Sequence, residues 1–420
     1  MILHGDCLDK LKELDENSID CLVTDPPYGI NFMGKSWDNF EKGQNDLKET
    51  FEKNIKKHGR KYGDQTEGDL AISMKSNHPI YKFEGMNQFF TPIFKECLRV
   101  MKPGSFGFIC CIPRQDCLSR MMISLEDAGF NINFSSIYWT YASGFPKAMN
   151  IGKKLDKKDI DHNMEGSYAG FQPKPAVECI IVVMKPLSEG SYINQAMKDG
   201  KGVTWLDDCR VPYADENDVV SIAGGGKTFH GEEYKKPEFK IKTDGRFAAN
   251  LLISDQILDD GKPHSGGHGV GFSRFYDLDK WAQRNLPFII CPKAPKKEKN
   301  AGCENFSSIG DVCEKCGNDK NYEGKGVCEY CGGKIIKSKV TKNNHPTVKP
   351  MKLMSYLITL GSRENDVILD PFSGSFTTYC SAIMLNRKCV GIEKEDEYIE
   401  IGKARVKYYQ DLFSKQPLKV

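Results

Sequence analysis

The chain has 420 residues, enough for two or three domains, and its 39% hydrophobic, 28% charged and 10% aromatic content excludes a disordered protein. With 59 Lys and Arg against 57 Asp and Glu the net charge is +2, so an anionic partner has to be met by a local basic patch. The opening residues MILHGDCLDKLKELDENSIDCL carry no signal-peptide pattern and no apolar run approaches the roughly 20 residues that span a bilayer, so a cytoplasmic protein without membrane contact is expected.

In chain order, MILHGD, CLDKLKEL and IDCLVTDPPYG read as strand, helix and strand. Residues 36–79 are polar and charge-mixed and read as a mobile insertion. Apolar residues at Met86, Phe89, Phe90, Ile93, Phe94, Cys97, Leu98 and Met101 predict a buried helix, with Pro92 kinking it or starting its regular part. SFGFICCI is a strand, LSRMMISLEDAGF a helix ended by Gly129, and INFSSIYWTY a strand, a βαβ rhythm that implies a mostly parallel sheet. The middle of the chain is less regular apart from the strand VECIIVVMKP. Its glycine-rich pieces, GGGKT at 224–228 and GGHGVG at 266–271, miss the spacing of phosphate and dinucleotide loops and read as ordinary loops. From Asn344 the α/β pattern returns with a helix through MKLMSYLITLGS, strand VILDPF, helix FTTYCSAIMLN, strand CVGIE and a last helix. The two ends therefore resemble each other and predict one domain split by an insert.

Two constellations carry chemistry. VILDPFSGS runs from a strand through small residues into a helix, and Glu393 ends the next strand 19 residues after Gly374, the placement by which a Rossmann-like half-domain bonds a ribose. A GxGxxG pyrophosphate cradle is absent, which favours a cofactor without a diphosphate, S-adenosylmethionine. MILHGD and CLVTDPPY are needed to complete the sheet, so a circular permutation is expected. At the end of one of those strands, Asp25 and the Pro26 carbonyl can accept from one exocyclic amine, Pro26 and Pro27 stiffen the turn, and Tyr28 offers a stacking face. Tyr141, Phe145 and Lys147 can stack beside an extruded nucleotide while Lys153 and Lys154 meet phosphate; a solvated aromatic loop is the alternative.

Most of the 16 cysteines sit in apolar runs and read as reduced core thiols. Cys313-x2-Cys316-Gly and Cys328-x2-Cys331-Gly instead have the spacing of a closed four-thiolate structural zinc site, with four incidental thiols as the alternative. Lysines 293, 296, 297 and 299 precede the ribbon and 334, 337, 339 and 342 follow it, suited to phosphate or to plain solvation.

HGDCLDKL with CLVTDPPYGI, ECLRVMKPGSFGFI, YWTYASGFPKAMNIGKKLD, HPTVKP, and VILDPFSGSFTT with CVGIE together resemble a DNA amino-methyltransferase of the permuted β type. The resemblance implies an α/β, Rossmann-like, mostly parallel sheet in circularly permuted order. Together with the zinc ribbon read from the cysteine spacing at 301–342, it divides the chain into a catalytic half at 1–185, a target-recognition region at 186–300 and a cofactor-binding half at 343–420. It implies Asp25, Pro26, Pro27 and Tyr28 as the catalytic set. Asp370, Phe372, Gly374, Ser375 and Glu393 would line the cofactor, with Asp6 at its adenine end and Thr347 and Lys349 at its methionine end. Phe376 stands where that family usually has glycine. The implied activity is methyl transfer from S-adenosylmethionine to the N6 amine of a flipped adenine in double-stranded DNA. Cytosine N4 is the alternative, and a DNA-binding protein with a decayed methyltransferase domain is the rival of a different class. A homodimer and a restriction partner are compatible with it.

Overall fold

A computed structural model of the protein describes residues 1–28, 79–141, 149–171, 176–213, 245–254, 275–286, 296–303, 306–315, 327, 333–341, 343, 345 and 347–415. Nearly all of the expected insertion at 36–79, both glycine-rich loops, Phe145 and Lys147 lie outside the described residues.

In chain order the first half contributes β1 (Ile2–His4), α1 (Cys7–Lys12), β2 (Cys21–Thr24), α2 (Pro79–Val100), β3 (Phe106–Cys111), α3 (Gln115–Asp127) and β4 (Ile137–Thr140). A small pair β5 (Met149–Asn150) and β6 (Tyr168–Ala169) brackets α4 (Ile151–Asp156), followed by β7 (Val177–Met184), α5 (Tyr192–Asp199), β8 (Leu251–Ile253), α6 (Leu278–Asn285) and α7 (Lys296–Asn300). The last part holds the antiparallel hairpin β9 (Ser307–Cys313) and β10 (Ile335–Thr341), then α8 (Met351–Gly361), β11 (Val367–Asp370), α9 (Thr377–Met384), β12 (Lys388–Glu393) and α10 (Asp396–Lys415).

Eight strands form one sheet in the order β1-β12-β11-β2-β3-β7-β4-β8, parallel throughout except for β7, which runs against both neighbours. The strands late in the chain, β11 and β12, are thus enclosed between β1 and β2. Alternation along each strand feeds two buried layers, because both faces carry helices. On β7, Ile180, Val182 and Met184 join the layer beneath α8 and α9, while Cys179, Ile181 and Val183 join the layer of α1, α2 and α3.

Helix α2 passes through Pro92 without ending there. Met86, Phe90, Ile93, Phe94 and Cys97 are fully or almost fully buried on both sides of the proline, and that packing outweighs the lost backbone bond to Gln88, an exposed residue.

Parts of the 186–300 region belong to the main core. β8 pairs with β4 at the sheet edge, and Trp281 of α6 packs edge-on against Tyr356 of α8, ring centroids 5.0 Å apart. Three residues of strand between polar stretches are too short to be read as a sheet element from sequence. The eleven cysteines at 7, 21, 97, 110, 111, 117, 179, 209, 303, 380 and 389 are buried and form no disulfide, as expected of core thiols. Among the described residues no helix is long and apolar enough to cross a membrane.

Candidate active site

Parallel pairing brings the carboxyl ends of β1, β12, β11 and β2 to one edge: His4 pairs with Glu393, Asp370 with Gly391, and Leu369 with Leu22. Asp6, Asp25, Asp370 and Glu393 therefore share an edge, where open α/β sheets bind ligands. Because β7 is antiparallel, it delivers its amino end there, with Cys179 opposite Cys111 and Glu178 one residue beyond.

Asp25 leaves β2 into the two prolines. Its Oδ1 accepts from the Tyr28 hydroxyl at 2.6 Å and its Oδ2 from Lys349 Nζ at 2.7 Å, so each oxygen keeps a lone pair for a further donor. Lys349 Nζ also lies 3.4 Å from the Tyr28 hydroxyl and 5.8 Å from the centre of its ring. Glu178 Oε2 is 3.2 Å from the same ammonium. The resemblance assigns Lys349 to the methionine end of the cofactor; the structure sets its ammonium on Asp25. The segment arrives there because Pro350 holds an extended backbone at the start of α8, with φ −69° and ψ 138°. Pro350 offers no capping side chain; Glu298 takes that role, its Oε1 accepting from Met351 N at 2.8 Å.

Burial alone drives the Lys349 ammonium toward losing its proton, but Asp25 and Glu178 more than offset this and raise its pKa above the ordinary lysine value. Burial, then the charges of Asp25 and Glu178, pushes the Tyr28 hydroxyl well above the usual phenol range, so it remains a donor. Tyr141 is not available for stacking on a nucleotide: its side chain is buried, its ring lies 4.8 Å from that of Trp139, and its hydroxyl bonds Glu178. Position 141 lies next to the last residue of β4, whose inward face takes Trp139 and the tyrosine together.

At the carboxyl ends of β11 and β12, Glu393 accepts from three backbone N–H groups, Gly374 at 2.7 Å through Oε2 and Lys394 and Glu395 at 2.9 Å through Oε1. Burial nevertheless holds its carboxyl above the usual range. Gly374 has a left-handed φ of +50°, and a Cβ there would come within 2.5 Å of His345 Nε2, so glycine is required both conformationally and sterically. Asp370 is buried with Oδ1 accepting from Thr24 Oγ1 at 2.7 Å, and burial raises its carboxyl to about 6. Phe372 packs against Phe89 and Phe90 of α2. Ser375 accepts from Arg405 of α10 through its hydroxyl at 3.0 Å. Asp6 caps α1 by accepting from Leu8 N, and the half-buried Thr347 donates its N–H to His345 Nδ1 at 3.4 Å. A buried acid, a left-handed glycine and a neighbouring phenylalanine fit the sugar and base of a nucleoside.

Cys313 ends β9 and pairs with Ile335, which opens β10. Cys316, Cys328 and Cys331 lie outside the described residues. Among the described residues no group of three or more His, Cys, Asp or Glu is placed to hold a metal.

Sequence reasoning missed Glu178 and the partner of Lys349. The one available signal for Glu178 was a lone acid interrupting the apolar run VECIIVVM.

The family described as DNA methylase matches residues 19–404. DNA adenine methyltransferase YhdJ of Escherichia coli (strain K12) is 49% identical over 63 residues, 15% of this chain and 21% of that protein. Type II methyltransferase M.HinfI of Haemophilus influenzae is 42% identical over 157 residues, 37% of this chain and 39% of that protein. The matched segments thus span well under half the length of these relatives. Among solved structures, PvuII DNA methyltransferase (cytosine-N4-specific) aligns with a TM-score of 0.43 at 14% identity, covering 99% of this chain and 91% of that one.

Proposed function

We infer, on the premise that the chain belongs to the DNA methylase family, that its Asp25 site methylates the N6 amine of adenine in duplex DNA, with the base taken out of the stack. The observation that carries this reading is the placement of Asp25 and Tyr28 on the same sheet edge as the Glu393–Gly374 pair. S-adenosylmethionine would supply the methyl group, its C–S bond breaking with the electron pair left on sulfur as the amine lone pair forms the new N–C bond. Glu393 would bond the ribose hydroxyls, the 370–375 turn would pass under the nucleoside, and Asp6 would face its adenine. Asp25 and the Pro26 carbonyl would accept from the amine's two hydrogens, turning its lone pair toward the methyl, while Tyr28 stacks on the base. Enclosure of β11 and β12 between β1 and β2 supports a circularly permuted methyltransferase sheet. The similarity to a named adenine methyltransferase favours adenine over cytosine.

Duplex DNA would be read by the less regular middle of the chain together with a zinc ribbon built on β9 and β10. Support for the zinc is the CxxC spacing itself, together with Cys313 at the paired end of β9. Four thiolates close the coordination sphere, so the metal would hold the ribbon and take no part in the chemistry.

Methylation-sensitive sequencing of DNA from cells expressing the protein tests the reading, with Asp25→Ala as the control. N6-methyladenine at one recurring sequence, absent from the variant, is expected. Methyl groups on cytosine N4 would reassign the base, and no DNA methylation at all would refute the enzyme.

A further inference from the structure

Lys349 presents a charge problem. A cation 2.7 Å from Asp25 Oδ2 neutralises the carboxylate that should favour positive charge on the target nitrogen. Deprotonation offers no relief, because the surrounding carboxylates hold the ammonium in its charged form. Glu178 is placed to answer this. It lies at the amino end of β7 opposite Trp139 of β4, its Oε2 is buried 3.2 Å from Lys349 Nζ, and the Tyr141 hydroxyl bonds its carboxylate. One buried cation is therefore shared by two carboxylates. With Glu178 the three side chains sum to one negative charge; without it they sum to zero.

We propose that Glu178 is a positioning residue for methyl transfer, which by dividing the charge of Lys349 leaves the Asp25 side of the site net negative when the target nitrogen turns cationic. The proposal rests on the reading of Asp25 as the group that receives the amine. As the nitrogen lone pair forms the N–C bond, the C–S electron pair departs to sulfur and the positive charge passes from sulfur to nitrogen. One of the nitrogen's two original protons then leaves to water. Charge at the nitrogen grows only as the bond forms, so Glu178 should act on the rate of the step and not on cofactor binding.

Glu178→Gln keeps the size of the side chain and an acceptor for Tyr141. At saturating cofactor and DNA its single-turnover rate should fall about 10–100-fold, while cofactor affinity and melting temperature stay at wild-type values. Glu178→Asp should recover part of the loss. A second measurement needs no methyl transfer to DNA: reductive methylation with formaldehyde and a borohydride reductant at pH 9, read by peptide mass spectrometry. Lys349 should react several-fold faster in Glu178→Gln than in wild type, relative to exposed Lys394, because one of its two counter-charges is gone. Wild-type turnover with unchanged Lys349 reactivity would overturn the proposal. So would parallel losses of rate, cofactor affinity and melting temperature, which mark a purely structural residue. If the wild-type protein methylates no DNA amine, the enzymatic reading fails by itself, and the Lys349 reactivity still decides whether Glu178 holds part of the lysine's charge.

Discussion

Glu393 is buried and receives three backbone N–H groups, two of them from the turn that joins β12 to α10. Its removal would take away the acceptor proposed for the ribose and leave those donors unpaired. Glu393→Ala should weaken binding of S-adenosylmethionine about 10–100-fold by calorimetry while lowering the single-turnover rate far less once cofactor is saturating. Asp370 behaves differently with pH. Burial raises its carboxyl from 3.8 to about 6, so between those values the folded chain holds a proton that the unfolded chain has lost. Its contribution to stability therefore falls as pH rises through that window, and above it the buried charge costs on the order of 1–3 kcal/mol. The substitution Asp370→Asn retains an acceptor for Thr24 and removes the charge, so the variant should be more stable than wild type in chemical denaturation at pH 7.5 and equal to it near pH 4. Asp25, Asp370 and Glu393 were legible because each ends a strand beside its own motif. The Lys349 bond to Asp25 joins residues 324 apart, and Glu178 depends on the antiparallel direction of β7; neither fact is written in local pattern.

Phe376 opens α9 and illustrates the same limit for an element. A phenylalanine where glycine is usual reads, in one dimension, as a crowded cofactor loop. In the fold, its backbone takes the left-handed conformation, φ 63° and ψ 36°, and its side chain is fully buried in the layer between β12 and α10. Two glycines make the room: a Cβ on Gly391 would lie 2.9 Å from Phe376 Cε1, and one on Gly402 of α10 would overlap the ring. The ring thus packs against Gly391 and Gly402 in the core, at roughly 1–2 kcal/mol of backbone strain. Gly402→Ala, which would gain about 1 kcal/mol of helix propensity in an open site, should instead destabilise by at least about 2 kcal/mol here. Adding Phe376→Gly should recover much of that loss, so that urea denaturation of the four proteins shows strong favourable coupling. Additive effects would mean that ring and helix do not share this space. Helices α2, α3, α8 and α10 were readable because their apolar stripes are long; β8, α6 and the short α4, α5 and α7 were not, since too few of their own residues carry a pattern.

At the scale of the molecule, the hairpin of β9 and β10 belongs to no strand of the main sheet. Metal loss should therefore be local: Cys316→Ser is expected to abolish zinc in elemental analysis and to weaken DNA binding or site discrimination, with cofactor affinity unchanged. Wild-type affinity for DNA should fall steeply with salt if the flanking lysines meet phosphate. The order of the sheet carries a further consequence, for synthesis. Thr24 Oγ1 donates to Asp370 across 346 residues of chain, and β2 has no partner on its β11 side until that distance has been translated. At ~5–20 residues per second the delay is about 17–70 s, during which the β11-side edge of β2 remains open to solvent or to other nascent chains, as does the face of β3 and β7 that α8 and α9 later cover. A ribosome-bound chain stopped at Asp366 should therefore be digested by trypsin across 86–184, and the same segment should become resistant only after β11 and β12 have emerged. The arrangement that brings Asp25 to the same sheet edge as the Glu393 turn should thus leave the growing chain dependent, until β11 emerges, on whatever in the cell shields unpaired strand edges.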